Sequence, residues 1–406
     1  MNRFPIGAGV TLEQLDLDPH PVLARLRADE PVSWLPSLDG WLVTRHDLVL
    51  AAMRDPETFT VDDPRFSTGQ VIGPSMLSLD GERHARHRAP FTGPFRPAAV
   101  SERFAESAAG EAVQLVDALQ PAGSGELRRG FAGPMSAAIV TRALGLERDE
   151  VDDVLGWYDA IVSSVTAITE GRGATQDGEA AFAALAERLE RAIGDRDSLL
   201  GAAAANSTLS TQEIISDAAV LLFGGIETTE GMIANAALML LERPEQLERA
   251  RTDEQVLDAA IEESLRLEPA ATVIDRYSTR AVALGPAQIE PGQLVRLSLA
   301  AANRDPSVFP DPDEFELKRS NRRHLAFAQG PHVCVGVHLA RLEARTALRT
   351  LLARLQDLRP DPERPAQIRG LVFRKPPRLD AIWSPDADSA WSPDANSAWS
   401  PDADSA

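Results

Sequence analysis

Between Leu209 and Arg243 the chain reads as one long helix, and that helix constrains everything folded around it. Ser210-Thr-Gln-Glu213 is a capping box, in which hydroxyl and carboxylate satisfy N–H groups that a helix start leaves free, and Pro244 supplies the stop. At 1.5 Å per residue the rod spans about 45–50 Å. Its middle, Ala218-Ala-Val-Leu-Leu-Phe-Gly-Gly-Ile226, is apolar on every face, so the helix must run through an interior. A hydrophobic content of 44% is enough to cover it.

Periodicity predicts further helices at Ala98–Ala118, Met135–Leu144, Asp149–Val165, Glu179–Ile193, Gln255–Leu267 and Val337–Leu355. Short strands are expected near Trp41–Thr44, Val282–Leu284, Leu294–Leu299 and Leu371–Phe373. The fold class is therefore mainly α with a small β region. Length alone suggests two or three domains, but chemistry-bearing motifs from His84 to Gly336 have to meet at one place, which argues for one large domain over 1–382. Residues 383–406 are three copies of Trp-Ser-Pro-Asp-Ala-(Asp/Asn)-Ser-Ala, too rich in Pro, Ser and Asp to build a core. We expect a disordered extension there, in preference to a docking tail.

A formal charge of −20 disfavours nucleic acid and anionic membrane surfaces as partners. One cysteine excludes an internal disulfide framework. Neither the N-terminus nor any later run reaches the roughly 18 apolar residues of a membrane span, so the expectation is a soluble, cytoplasmic protein with no membrane partner.

The single cysteine lies in Phe327-Ala-Gln-Gly-Pro-His-Val-Cys-Val-Gly336. Taken alone, Cys334 reads as an inert buried thiol. Its neighbours point to a metal thiolate: Gly330 and Gly336 permit tight or left-handed backbone whose N–H groups can point at a sulfur, and Phe327 can shield it from water. The second unusual run is Gly224-Gly-Ile-Glu-Thr-Thr229, inside the apolar helix. Two glycines cost about 1 kcal/mol each there, and an acid with two hydroxyls occupies apolar territory. Thr228 can bond back to the Gly224 carbonyl, leaving a small groove over a flat cofactor; a satisfied Ser/Thr kink is the plainer alternative.

The cysteine loop, Phe-x-x-Gly-x-x-x-Cys-x-Gly leading into a helix, resembles that of the cytochrome P450 haem-thiolate monooxygenases, and the resemblance covers about residues 10–382. It implies the P450 fold with its long buried central helix, a b-type haem, and Cys334 as axial ligand to the iron. Glu227 and Thr228 would be the acid–alcohol pair relaying protons to dioxygen, with Gly224 against the haem. Glu263-Ser-Leu-Arg266 matches the family's structural Glu-x-x-Arg. His84 and Arg88, four apart on one helix face ahead of Phe95-Arg-Pro97, match propionate contacts, as do Arg276 and His332. The loop departs from the family at Ala328, where many members carry glycine.

Further expectations follow from the resemblance. The reaction would insert one oxygen atom from O2 into an organic small molecule, by hydroxylation or epoxidation. The chain contains no flavin- or nicotinamide-binding fingerprint, so electrons would come from a separate ferredoxin and reductase. Arg83, Arg86, Arg322, Arg323, Arg341 and Arg345 would form a basic landing patch for that donor. Substrate would be enclosed by Thr60–Leu77, a lid around Trp157–Phe182, Val220–Gly224, Ala270–Ile274 and Leu371–Phe373. A peroxide-driven peroxygenase on the same fold and a non-catalytic haem sensor or carrier are the alternatives.

Overall fold

The computed structural model describes residues 4–169, 172–195, 198–321 and 323–385. Thr211–Leu241 is one helix of 31 residues, opened by the Ser210–Glu213 capping box and followed directly by a second helix with Pro244 in its first turn. Nearly all of it is buried. Around it pack Gly133–Ala143, Gln176–Ile193, Glu254–Leu267 and Val337–Arg354, the last lying along Pro97–Leu119. One hydrophobic core joins these helices. At Gly225 a Cβ would come within 3.0 Å of the Val140 side chain, so this glycine lets two helices approach closely.

A five-stranded sheet flanks the helices in the order Val32–Leu35, Gly40–Val43, Leu294–Ser298, Val273–Ser278, Phe59–Thr60. Only the pairing of Gly40–Val43 with Leu294–Ser298 is parallel. Arg276 stands opposite Val295 in this sheet, so a strand delivers it to the site. Val282–Leu284 pairs with Ala287–Ile289 as a small hairpin.

Two expectations need correction. Leu371–Phe373 is no strand: it makes a single bridge, Ala271 to Phe373. Gly370 at φ +128° turns the chain there, and Pro376 and Pro377 have no N–H to continue a ladder. The repeat does not begin outside the fold either. Asp380–Ser384 is a strand between Ser124–Glu126 and Gln356–Pro360, and Trp383 is buried with its indole N–H donating to the Gln120 carbonyl at 2.9 Å. The boundary at 382 is therefore too early. The rest of the repeat, 386–406, lies outside the described residues, as does Arg322.

Candidate active site

Backbone geometry sets the cysteine loop. Gly330 has φ +78°, and a Cβ on it would lie 2.5 Å from the Met53 carbonyl oxygen, so only glycine fits. Ala328 also takes a left-handed conformation, at φ +57°, with its N–H donating to Leu325 at 2.9 Å. The Cys334 N–H closes the loop on the Phe327 carbonyl at 2.9 Å. Gly336 plays a different part from Gly330. At φ −88° it begins the following helix, and its N–H bonds to the Cys334 sulfur. Burial pushes the Cys334 thiol up, opposed by that N–H and by the Arg88 and Arg341 guanidiniums. Phe327 is held under the Arg341 guanidinium, 4.8 Å from its ring centre.

On the central helix, the Thr228 hydroxyl donates to the Gly224 carbonyl at 2.6 Å, as the spacing predicts. Glu227 is buried, and its Oε1 lies 2.7 Å from the Nζ of Lys375. Thr229 is buried as well.

The helix Gly81–Thr92 connects the two halves of the site. Its His87 reaches Asp217 of the central helix, Nδ1 to Oδ2 at 2.9 Å. Its His84 faces the cysteine loop, with rings of His84 and His332 centred 4.3 Å apart, and Arg88 donates to the Val333 carbonyl at 2.5 Å. Asp80 organises this corner. It accepts from Thr60 at 2.6 Å and the Val61 N–H at 2.8 Å, and it holds His332 Nε2 at 2.8 Å. Arg276 feels the same carboxylate.

These residues fit a haem with two propionates. Buried His84 Nε2 has no hydrogen-bond partner among the described residues, and burial with the charges of His332 and Arg88 pushes its ring down to about 4. Arg276 is buried, pushed down to about 10, and bonds only the Asp275 carbonyl among the described groups. Both are donors suited to an anion. A Cβ added at Gly224 or at Gly336 would meet nothing within 4 Å, so each glycine leaves space on its side of the site.

Comparison with known proteins decides the family. A sequence profile described as Cytochrome P450 matches residues 192–381. The chain is 34% identical over 370 residues to cytochrome P450 monooxygenase PikC of Streptomyces venezuelae, covering 84% of this chain and 85% of that one. This chain belongs to the cytochrome P450 family. It is equally 34% identical, over 405 residues, to nocardicin C N-oxygenase of Nocardia uniformis subsp. tsuyamanensis, covering 94% of this chain and 98% of the relative. Among solved P450 structures, that of CalO2 superposes with a TM-score of 0.84 at 27% identity, covering 93% of this chain and all of that one. The chain is accordingly a P450 monooxygenase, with haem on an axial cysteine thiolate as its cofactor. Among the described residues no helix is long and apolar enough to cross a membrane.

Glu263 and Arg266 form a buried bidentate pair at 2.7 and 2.8 Å. Arg266 also donates to the carbonyls of Asn303, Pro312 and Glu314, so this P450 uses the pair to tie down the loop ahead of the cysteine. Sequence reasoning missed Arg319, which joins the same carboxylate at 3.0 Å, and Lys375. It also missed Asp80, whose position directly before a helix was the available signal.

The landing patch needs correction. Arg83 pairs with Asp62 at 3.0 Å, and Arg86 with Glu213 of the central helix. Arg341 and Arg345 pair with Glu262 and Asp258 at 2.7 and 2.5 Å, extending to Arg349 and Glu254. These are rungs between two parallel rows of opposite charge, spaced four residues apart on both helices. Each of these arginines thus has an acidic partner, the pairs of Arg83 and Arg86 remaining partly exposed, and Arg323 is exposed.

Proposed function

We propose that this P450 inserts one oxygen atom from O2 into a largely apolar organic small molecule, with electrons supplied by a separate ferredoxin and its reductase. The observation that carries the reading is the Thr228 hydroxyl on the Gly224 carbonyl, beside buried Glu227, on a helix joined through His87 to the helix that bears His84 and Arg88. Cys334 would hold the haem iron; His84, Arg88, Arg276 and His332 would hold the propionates; and Phe327 and Gly336 would cover and bond the sulfur. When bound, the haem supplies the redox chemistry that activates dioxygen.

The chain's own part is proton handling and exclusion of water. Thr228 donates its one proton to a helix carbonyl, which leaves its oxygen free to accept a hydrogen bond; passing a proton onward would require the hydroxyl to turn away from Gly224. Glu227 is the titratable group one residue before it. Phe223 and Phe373 meet edge to face at 5.5 Å, and with Val220 they make an apolar wall that favours an apolar substrate surface. Every residue of the proposed site lies within the haem domain, which we extend through Ser384.

Reduction of the purified protein under carbon monoxide, wild type beside Cys334→Ser, tests the ligand. The wild type should show the red-shifted thiolate Soret band and the variant should lose it. A histidine-type spectrum in the wild type would overturn the assignment of Cys334. NADPH oxidation coupled to product only when ferredoxin and reductase are both added would support the donor class.

A further inference from the structure

Behind the acid–alcohol pair lies a charge cluster that the reaction described above leaves without a task. Lys375 is buried, and its Nζ lies 2.7 Å from Glu227 Oε1 and 2.5 Å from Glu230 Oε2. Glu230, fully buried, stands three residues after Glu227 on the central helix. Its Oε1 faces Arg128 Nε at 3.3 Å and Arg129 Nε at 3.4 Å. Arg129 reaches Asp159 at 2.6 Å, whose side chain is 56% exposed. The three carboxylates of Glu227, Glu230 and Asp159 are thus matched by the three cations of Lys375, Arg128 and Arg129.

Two glycines make room for the cluster. A Cβ on Gly133 would lie 2.9 Å from Glu230 Oε1, and one on Gly231 would lie 2.8 Å from the Ala270 Cβ and 3.6 Å from the Lys375 stem. The backbone that presents Lys375 is also fixed. Arg374 N–H donates to Ala270 at 2.9 Å, Lys375 N–H to Arg369 at 3.1 Å, and Asn235 donates to the Arg374 carbonyl at 3.0 Å. An ammonium so buried is tolerable only while paired.

We infer that Lys375 is a positioning residue for Glu227: it pairs with that carboxyl and draws it toward the C-terminal segment, while Glu230 shares the same ammonium and sets how firmly Glu227 is held. The inference rests on reading Glu227 as the acid partner of Thr228. The ammonium has three N–H donors and meets both carboxylates at once, so its single positive charge is divided between Glu227 and Glu230.

The test combines infrared difference spectra against wild type, in H2O and D2O, with the partition of electrons between product and peroxide. Lys375→Met leaves Glu227 and Glu230 sharing a buried negative charge that is no longer matched. A carbonyl stretch of a protonated carboxylic acid should appear at neutral pH, be absent from Lys375→Arg, and vanish in the double variant with Glu227→Gln. The share of electrons lost as peroxide should rise several-fold in Lys375→Met at unchanged haem content and be restored by Lys375→Arg. Glu230→Gln leaves Lys375 to Glu227 alone and should raise the solvent isotope effect on turnover. No new carbonyl band, or a band that survives Glu227→Gln, overturns the inference. Should Lys375→Met fail to fold, an unchanged isotope effect in Glu230→Gln overturns it instead. If Thr228→Ala fails to divert electrons while the infrared result holds, the acid–alcohol reading falls and the placement of Lys375 stands.

Discussion

Gly330 and Ala328 share the left-handed region within one loop, yet only one of them tolerates a side chain. At Ala328 the conformation costs about 1–2 kcal/mol for an L residue. At Gly330 the same cost is joined by a Cβ 2.5 Å from backbone oxygen, which cannot yield as a flexible side chain would. Gly330→Ala should therefore displace the cysteine loop from Met53, lowering both the haem retained per chain and the melting temperature. Haem content and thermal denaturation measured side by side check this, and a variant with wild-type values for both would contradict it. Contacts such as these were legible in the sequence because their partners are close along the chain: Cys334 bonds Phe327 in the loop, and Thr228 bonds Gly224 in the central helix. Lys375 was not, since it meets Glu230 across 145 residues and nothing local marks a lysine as buried.

At the scale of elements, the helices were largely readable and the strands less so. Caps and periodicity put the central helix within two residues of its observed ends, because both signals are local. The strand Val273–Ser278 was missed, since its pairing with Leu294–Ser298 and Phe59–Thr60 depends on partners far along the chain. The union of the central helix with Gly81–Thr92 was equally hidden. It runs through Asp217, which accepts from the Met76 N–H at 2.7 Å and faces His87, with Glu213 and Arg86 beyond. Burial pushes the Asp217 carboxyl up to about 8, from an ordinary 3.8. His87 is pushed down by burial and Glu213 down to about 2 by Arg86, so neither changes charge as Asp217 titrates above neutrality. The folded state keeps a proton that the unfolded chain has already lost, so this contribution is full below 3.8 and is lost as pH rises through 8. Asp217→Asn, which cannot ionise, should flatten that slope. Between about pH 6 and 8 the wild-type melting temperature should fall relative to the variant. Parallel curves would contradict the placement of a neutral carboxyl there.

For the molecule as a whole, the expected convergence of distant motifs on one cofactor argued for one large domain, but it could not say where that domain stops. The repeat obscured its end, because Trp383 is at once the first residue of an eight-residue period and a buried residue of a strand. Composition describes the period, whereas tertiary contacts decide that Trp383 is built into the fold. Trp383 N–H donates to the Gly123 carbonyl at 2.9 Å, and a Cβ on Gly125 would lie 3.0 Å from its ring, so the turn around 123–125 is shaped to receive this indole. Ending the chain after Pro385 keeps all of these interactions and should leave the melting temperature and the carbon-monoxide spectrum as they are. Ending it after Ile382 removes a buried tryptophan and the last rungs of the strand, a loss of about 3–5 kcal/mol by comparison with core truncations of aromatic residues. The second truncation should melt several degrees lower, with its haem spectrum intact at low temperature because the site lies elsewhere in the fold. Equal stability of the two truncations would return the boundary to 382 and make Trp383 incidental; a loss on removing 386–406 alone would show that further copies of the repeat also support the fold.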